Sequence, residues 1–337
     1  MLSASERLNL LQHPTPGILK CIESLAKLYQ EKFEPDIENK YFNKYQLMFQ
    51  HLYGEDSLLP EAAHGYFVLG RASHNSCQYI VAEQLYKKSL DIYQQIYGEG
   101  ADHPAIALLY TEMGRNLGRI PDYSAAKQYL HMSLDMYRRI YGNNSDRADI
   151  ADAIGLLGCC VGYTGNYAEA GEYHRADLEM RKRMHGENSD HPDIAMVISN
   201  LGGNYHDMKE YTKAEEYLQQ SLNMYKRIHG EDSDHPDIAA GLNNLACNYY
   251  SMKEYTKAEE HYRLSLDMYK RIHGEDSDHT DIADELRGLG KTYGEMRDHE
   301  KAKIHLELAL NMYTRLYGND DQQPDIQKVK QYMSKYQ

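Results

Sequence analysis

The 337-residue sequence has no tryptophan and only four phenylalanines beside 31 tyrosines, so its aromatic packing must tolerate hydroxyls that reach wet edges. Cysteine is scarce: Cys21, Cys77, Cys159, Cys160 and Cys247 are an odd set without CxxC spacing. That argues against a disulfide framework or a zinc ribbon and for a reducing, cytoplasmic setting. No run approaches the ~18 apolar residues of a membrane helix. The N-terminus MLSASERLNLLQHPTP has no basic flank before an apolar stretch, which argues against a secretory signal. Positive charge is in deficit, 37 Lys and Arg against 51 Asp and Glu for a net −14, the wrong sign for nucleic acid as the main partner. No paired carboxylates or triad spacing occur, so no enzyme, no cofactor and no metal are expected.

What is present is a period. MYKRIHGEDSDHPDIA, Met224 to Ala239, returns from Met268 to Ala283 with only Pro236 changed, to Thr280. Its glycine recurs at Gly54, Gly98, Gly142, Gly186, Gly230, Gly274 and Gly318, every 44 residues. Pro16, Pro60, Pro104, Pro192, Pro236 and Pro324 share a second register. Within a period, Leu242, Leu245, Ala246 and Tyr249, then Tyr255, Ala258, Tyr262 and Leu266, follow helical spacing. Each period is therefore two amphipathic helices. Small residues hold one register of the first helix (Ala26, Gly70, Gly114, Gly158, Gly202, Ala246, Gly290) and one of the second (Ala82, Ala126, Ala170, Ala214, Ala258, Ala302). Mid-helix glycine costs about 1 kcal/mol against alanine, so its recurrence implies close helix approach.

The stretch LNNLACNYYSMKEYTKAEEHYRLSL, with its large-xx-large-small-xx-Tyr first helix and a second small residue twelve positions later, resembles a tetratricopeptide repeat. With the flanking HPDIAAGLNNLA it is most similar to repeats of kinesin light chains and related bacterial and signalling-ATPase arrays. The resemblance covers roughly 16 to 336. Two departures, a connecting loop GEDSDHPD about two residues longer and the lack of a heptad coiled coil, argue against a motor role. The expected fold is all-α, and the resemblance implies a right-handed superhelical solenoid of antiparallel helix pairs with first helices lining the inner surface. The expected layout is an N-terminal extension (1–15), seven pairs over 16–323 (16–59, 60–103, 104–147, 148–191, 192–235, 236–279, 280–323) and a capping helix over 324–337. In the first period, Glu38 and Tyr45 stand where small residues are usual. Self-association is open but not indicated.

The acidic joint has two readings. Asp276, Asp278, His279 and Asp281 are of metal-ligand type, but equivalent histidines such as His235 and His279 sit a helix pair apart, ~10 Å or more, against metal–nitrogen bonds of ~2 Å. The local reading starts a helix with Asp234, Pro236 and Asp237, and ends the preceding one with Lys226, Arg227 and a left-handed Gly230. We expect the second. GLGKT, Gly288 to Thr292, lacks the first glycine of a phosphate loop, having Glu285 there, and no strand precedes it. Cys159 and Cys160 read as groove or core thiols.

Function is therefore expected on the exposed stripe of the first helices. One register runs Lys27, Arg71, Arg115, Cys159, Gly203, Cys247, Lys291. Lys20, His64, His74, Arg119 and, near the other end, Arg287 add positive charge, which Glu23, Glu31 and Glu112 weaken. Gly155, Leu156, Gly162, Ser199 and Asn200 leave the centre roomy, and the resemblance implies inward amides from Asn204, Asn243 and Asn244. The expected ligand is a peptide or helical segment of a partner protein, acidic and carrying a bulky apolar residue. The competing reading lays the Arg and Lys stems over neighbouring helices. Two functions are open: a scaffold or adaptor, and a regulatory sensor that controls an attached or partner effector enzyme or ATPase.

Overall fold

The computed structural model describes residues 15–31, 35–54, 57–318 and 323–336, without the side chains of 25, 27–31 and 35–39. The expected extension before residue 15 and the side chains of Lys27, Glu31 and Glu38 lie outside that description. The described residues hold fifteen α-helices and no strand. First helices are α1 (Pro16–Glu31), α3 (Pro60–Asn75), α5 (Pro104–Arg119), α7 (Ala148–Tyr163), α9 (Pro192–Asp207), α11 (Pro236–Ser251) and α13 (Thr280–Glu295). Second helices are α2 (Pro35–Tyr53), α4 (Tyr79–Tyr97), α6 (Tyr123–Tyr141), α8 (Tyr167–His185), α10 (Tyr211–His229), α12 (Tyr255–His273) and α14 (His299–Tyr317); α15 is Pro324–Lys335. Their starts keep the 44-residue period.

The chain forms two compact units, divided between Thr164 and Gly165. In the first, α1 pairs with α2, α3 with α4 and α5 with α6, and α7 packs on α6 and α5. In the second, α8 packs on α9, α9 pairs with α10, α11 with α12 and α13 with α14, and α15 closes on α14.

The small registers do what their spacing predicts. A Cβ on Gly114 would stand 2.6 Å from Leu130, one on Gly202 2.7 Å from Leu218, and one on Gly290 2.6 Å from Leu306. The pairs are also held by polar staples. Ser89, Ser133, Ser221 and Ser265 donate to the carbonyls of Ala63, Ala107, Ala195 and Ala239 at 2.7, 2.8, 2.7 and 2.9 Å. These oxygens are buried, so each bond is worth about 0.5–1.5 kcal/mol. Ser221→Ala is expected to lose that amount and no more, because Ala309 fills the same register unaided, fully buried; the urea midpoint measures it.

Asn116, Asn204 and Asn248 form a second set of staples, each donating to a carbonyl at the start of the preceding second helix (Tyr79, Tyr167, Tyr211) at 2.8, 3.0 and 2.9 Å. A third set is exposed. Arg139, Arg227, Arg271 and Arg315, near the ends of second helices, grip Asp102, Asp190, Asp234 and Asp278 in the loops ahead of their own pairs.

Candidate ligand cleft

In the first unit the first helices α3, α5 and α7 lie side by side and their outward stripes enclose a cleft of about 610 Å³. Arg71, His74 and Asn75 line it from α3; Leu108, Glu112, Arg115 and Arg119 from α5; Asp152, Leu156, Cys159 and Tyr163 from α7. On α5 and α7 these positions are i, i+4, i+7 and i+11, one helical face. Repetition of one register at successive helices thus assembles the site.

Its electrostatics are mixed with an excess of guanidinium. The Arg71 guanidinium sits 6.0 Å from the Phe67 ring centre. Arg115 Nε is 3.4 Å from Glu112 Oε2, a contact along one helix that neutralises a buried carboxylate. Arg119 is exposed at the end of α5. His74 Nδ1–H donates to Asn116 Oδ1 at 2.9 Å, and burial pushes its pKa below the usual histidine value, so it is neutral near pH 7. Leu108, Leu156 and the Tyr163 ring, 68% exposed and stacked on Tyr123 at 5.2 Å, supply apolar surface. Sequence reasoning missed Leu108, Asp152 and Tyr163, although each shares a register with a residue it chose. Burial raises the Cys160 thiol to about 11, which makes it a neutral core group.

Of the other chosen residues, Gly155 is buried in α7. In the second unit Ser199 and Asn200 are half-buried on α9, and Gly203 is exposed with open space where a Cβ would stand. Asn244 Nδ2 donates to Ser199 Oγ at 3.2 Å, while Asn243 Oδ1 accepts from Cys247 at 3.7 Å. Asn204 is buried and its amide is committed to the Tyr167 staple. The two C-terminal cations fold down onto protein. Arg287 bridges Asp284 at 2.6 Å and Asp325 at 2.7 Å, and Lys291 Nζ lies 4.3 Å from the Tyr250 ring centre and 5.5 Å from that of Tyr262. Burial lowers the Lys291 pKa. The structure therefore brings Arg71, Arg115, Arg119 and Cys159 to one cleft, and leaves Arg287 and Lys291 engaged elsewhere. GLGKT lies within α13.

The acidic joint is built differently from its expected form. Asp234 is held by Arg271 ahead of the helix. His235 is the N-cap of α11, its Nδ1 accepting the Asp237 N–H at 3.2 Å. His191 and His279 cap α9 and α13 in the same way. Each capping ring stacks on the last histidine of the preceding helix: His185 on His191, His229 on His235 and His273 on His279, with centroids 3.5, 3.4 and 3.6 Å apart. Gly230 has φ 101° and ψ 141°, a positive-φ conformation outside the left-handed helical well that glycine alone adopts readily. The donor atoms of His229, His235 and Asp237, and of the two equivalent trios, lie within 4.8 Å of one another. A metal must lie near the plane of each ligating ring, and two stacked parallel rings do not share such a point; the capping Nδ1 lone pair is also in use. The trios form joints, not a preformed metal centre.

Paired helices in a 44-residue period, small-residue contacts and a ligand-sized cleft on the first helices define a helical-repeat protein. Family descriptions termed Tetratricopeptide repeat match residues 149–227, 193–271 and 237–315, and a further one matches 68–105. They span more than half of the sequence, and the chain belongs to the tetratricopeptide repeat family. No curated protein sequence matches it. Among solved structures it is similar to kinesin light chain-like, nearly identical TPR-like repeats from Podosopora anserina (16% identity, 64% of this chain and 99% of that one, TM-score 0.51). It is also similar to a Rap protein complexed with Competence and Sporulation Factor (12% identity, 96% and 100%, TM-score 0.57). A third is a signal transduction ATPase with a tetratricopeptide repeat sensor from Pyrococcus horikoshii (16% identity, 97% and 50%, TM-score 0.58). At these identities the likeness is one of fold.

Proposed function

We infer that the chain is a non-enzymatic interaction module whose first unit holds an acidic segment of a partner protein, with a bulky apolar residue seated against Leu108, Leu156 and Tyr163. One observation carries this reading: Arg71, Arg115 and Arg119, from two adjacent helices, converge on one cleft in a protein of net charge −14. In such a field an acidic segment is repelled by most of the surface and favoured at the cleft, which supplies orientation and on-rate. A carboxylate entering it pairs with Arg71 and Arg119 and shares Arg115 with the buried Glu112, 3.4 Å from Arg115 Nε. The scaffold or adaptor role is favoured, in a cytoplasmic setting. A sensor role is the second reading, supported by the fold likeness to a Rap protein crystallised with a signalling factor and to a sensor-bearing ATPase.

The test is affinity capture from a cytoplasmic lysate with the wild-type chain beside the Arg71→Glu, Arg115→Glu variant, followed by anisotropy titration of acidic peptides from the captured protein. The expected result is an acidic-segment protein lost by the variant, with peptide affinity at least about tenfold weaker, since each charge-assisted bond is worth about 1.5–3 kcal/mol. The same proteins on both baits, with unchanged peptide affinity, overturns the assignment. An effector ATPase among the lost proteins favours the sensor.

A further inference from the structure

From α4 to α12 the last residue of each second helix meets the residue that caps the next first helix, and these joints are filled with different chemistry. In the first unit Tyr97 stacks at 4.0 Å on His103, a cap whose Nδ1 accepts the Ala105 N–H at 3.2 Å, and the Arg147 guanidinium lies 3.8 Å over Tyr141. In the second unit three joints are imidazole on imidazole, with ring planes 11–13° apart, and the fourth sets Tyr317 before the Gln323 cap of α15. A tyrosine there is neutral at every physiological pH; a histidine is not.

The hydrogen bonds assign the protons. His229 Nε2 is 3.1 Å from Asp237 Oδ2 and donates to it, while His235 Nδ1 accepts the Asp237 N–H and must be unprotonated to do so. His273, His279 and Asp281 repeat this at 3.3 and 3.3 Å. One proton per joint is accommodated, shared between the first imidazole and the aspartate. A second costs the cap: it converts the capping Nδ1 from acceptor of the backbone N–H to donor toward the carboxylate the first imidazole already uses, 3.6 Å away at Asp237 and 3.3 Å at Asp281, and sets two cations ~3.5 Å apart with little water between them.

The other groups around each joint do not relieve this. Tyr225 and Tyr269 face the middle and last joints from α10 and α12, and the Arg271–Asp234 and Arg315–Asp278 pairs flank them from α12 and α14, each self-neutralised. Asp284, held by Arg287, adds a paired carboxylate near Tyr269. At the first joint Arg181 Nη1 already holds Asp193 Oδ2 at 2.8 Å, which leaves less negative charge for His185 and His191.

We propose that the three imidazole–imidazole joints are an acid-sensitive latch in the second unit, which releases the N-terminal turns of α9, α11 and α13 on mild acidification while the Tyr141–Arg147 joint of the first unit, which holds no imidazole, stays closed. The sign follows from the capping rings. Burial first, then the neighbouring imidazole, holds His191 and His235 below the usual histidine range. At these two joints the unfolded chain therefore takes up more protons than the folded one, so their stability is full above pH ~6.5 and falls as pH drops below that value; the last joint has the same geometry. Because adjacent pairs stack through these joints, their openings add along the unit.

Hydrogen exchange by mass spectrometry on the whole chain at pH 7.5 and 5.5, corrected for intrinsic exchange rates, tests the latch. Protection of the first turns of α9, α11 and α13 is expected to fall by about fivefold, the factor that corresponds to losing one helix N-cap, relative to that of α7. His235→Asn with His279→Asn, which keeps a cap that does not titrate, should abolish the fall at α11 and α13. An equal fall at α7, no fall, or persistence of the fall in the asparagine variant overturns the latch.

Discussion

Arg181→Ala should be the most damaging single substitution in the second unit, with a loss of about 3–5 kcal/mol. Arg181 is 2% exposed and Asp177 1%. Nε of Arg181 meets Asp177 Oδ1 at 2.7 Å and Nη1 meets Asp193 Oδ2 at 2.8 Å. Removing the guanidinium strands Asp177 as a buried carboxylate and opens a cavity in the same step. The rest of the array shows how unusual this is: where α8 has His174, Asp177 and Arg181, α10 has Leu218, Ser221 and Tyr225. His174 is also buried, and desolvation lowers its pKa to about 4, so it is carried as a neutral ring. Asp177→Ser with Arg181→Tyr, which restores the residues of the other repeats, is therefore expected to lie within about 1 kcal/mol of wild type or above it, since apolar replacement of a buried ion pair is often neutral or stabilising. Urea unfolding with exchange protection resolved by unit measures both variants. A loss below about 1 kcal/mol for Arg181→Ala would mean the pair is not dry and the core of α8 is solvated.

The helices were legible because each repeat solves the same local problem. Gly114 against Leu130, Gly202 against Leu218 and Gly290 against Leu306 are contacts between neighbours in sequence, and the same pair of positions returns with the period. The cleft was partly legible for the same reason: Arg71, Arg115 and Cys159 occupy one register, and one register means one face. What the spacing could not reveal is where a long side chain ends. Arg287 and Lys291 lie in the chosen stripe, yet Asp325 from the capping helix and the Tyr250 ring from the preceding pair draw them down. Those partners are 38 and 41 residues away, a separation that register alone does not single out. The joint was misread at the level of roles. Asp234, taken for the start of a helix, answers Arg271, and the capping is done by His235 through a ring stack that crosses a loop. Asparagine 204, taken for a ligand contact, is spent on a backbone carbonyl.

Glu285 offers the second large effect, with a sign that distinguishes two pictures of its surroundings. It is 1% exposed in a register where the other repeats have Gly241, Val197 and Ala153. Its Oε1 is 2.9 Å from Ser265 Oγ, and its Oε2 is buried without a hydrogen-bond partner. Ser265 has one hydroxyl proton, which goes to the Ala239 carbonyl as its counterparts' do in the other pairs. The Ser265–Glu285 bond then requires the carboxyl to be the donor, so Glu285 is protonated; desolvation raises its pKa well above the usual carboxylate value in accord with this. A raised carboxyl pKa means the folded state holds a proton that the unfolded state releases above pH ~4.3. Stability from this site is complete below that value and is lost as pH rises toward the folded pKa. Glu285→Gln retains a donor to Ser265 and cannot ionise, so it should match wild type at pH 4 and exceed it by about 1–3 kcal/mol at pH 8, the cost of burying an unsatisfied polar group. Subtracting the two pH curves removes the histidine joints, which act in the opposite direction and are common to both proteins. If Glu285 were instead an ionised partner of Lys291, the glutamine variant would be the weaker protein at pH 8, and the buried cluster of α11, α12 and α13 would be an ion-pair network in place of a neutral one.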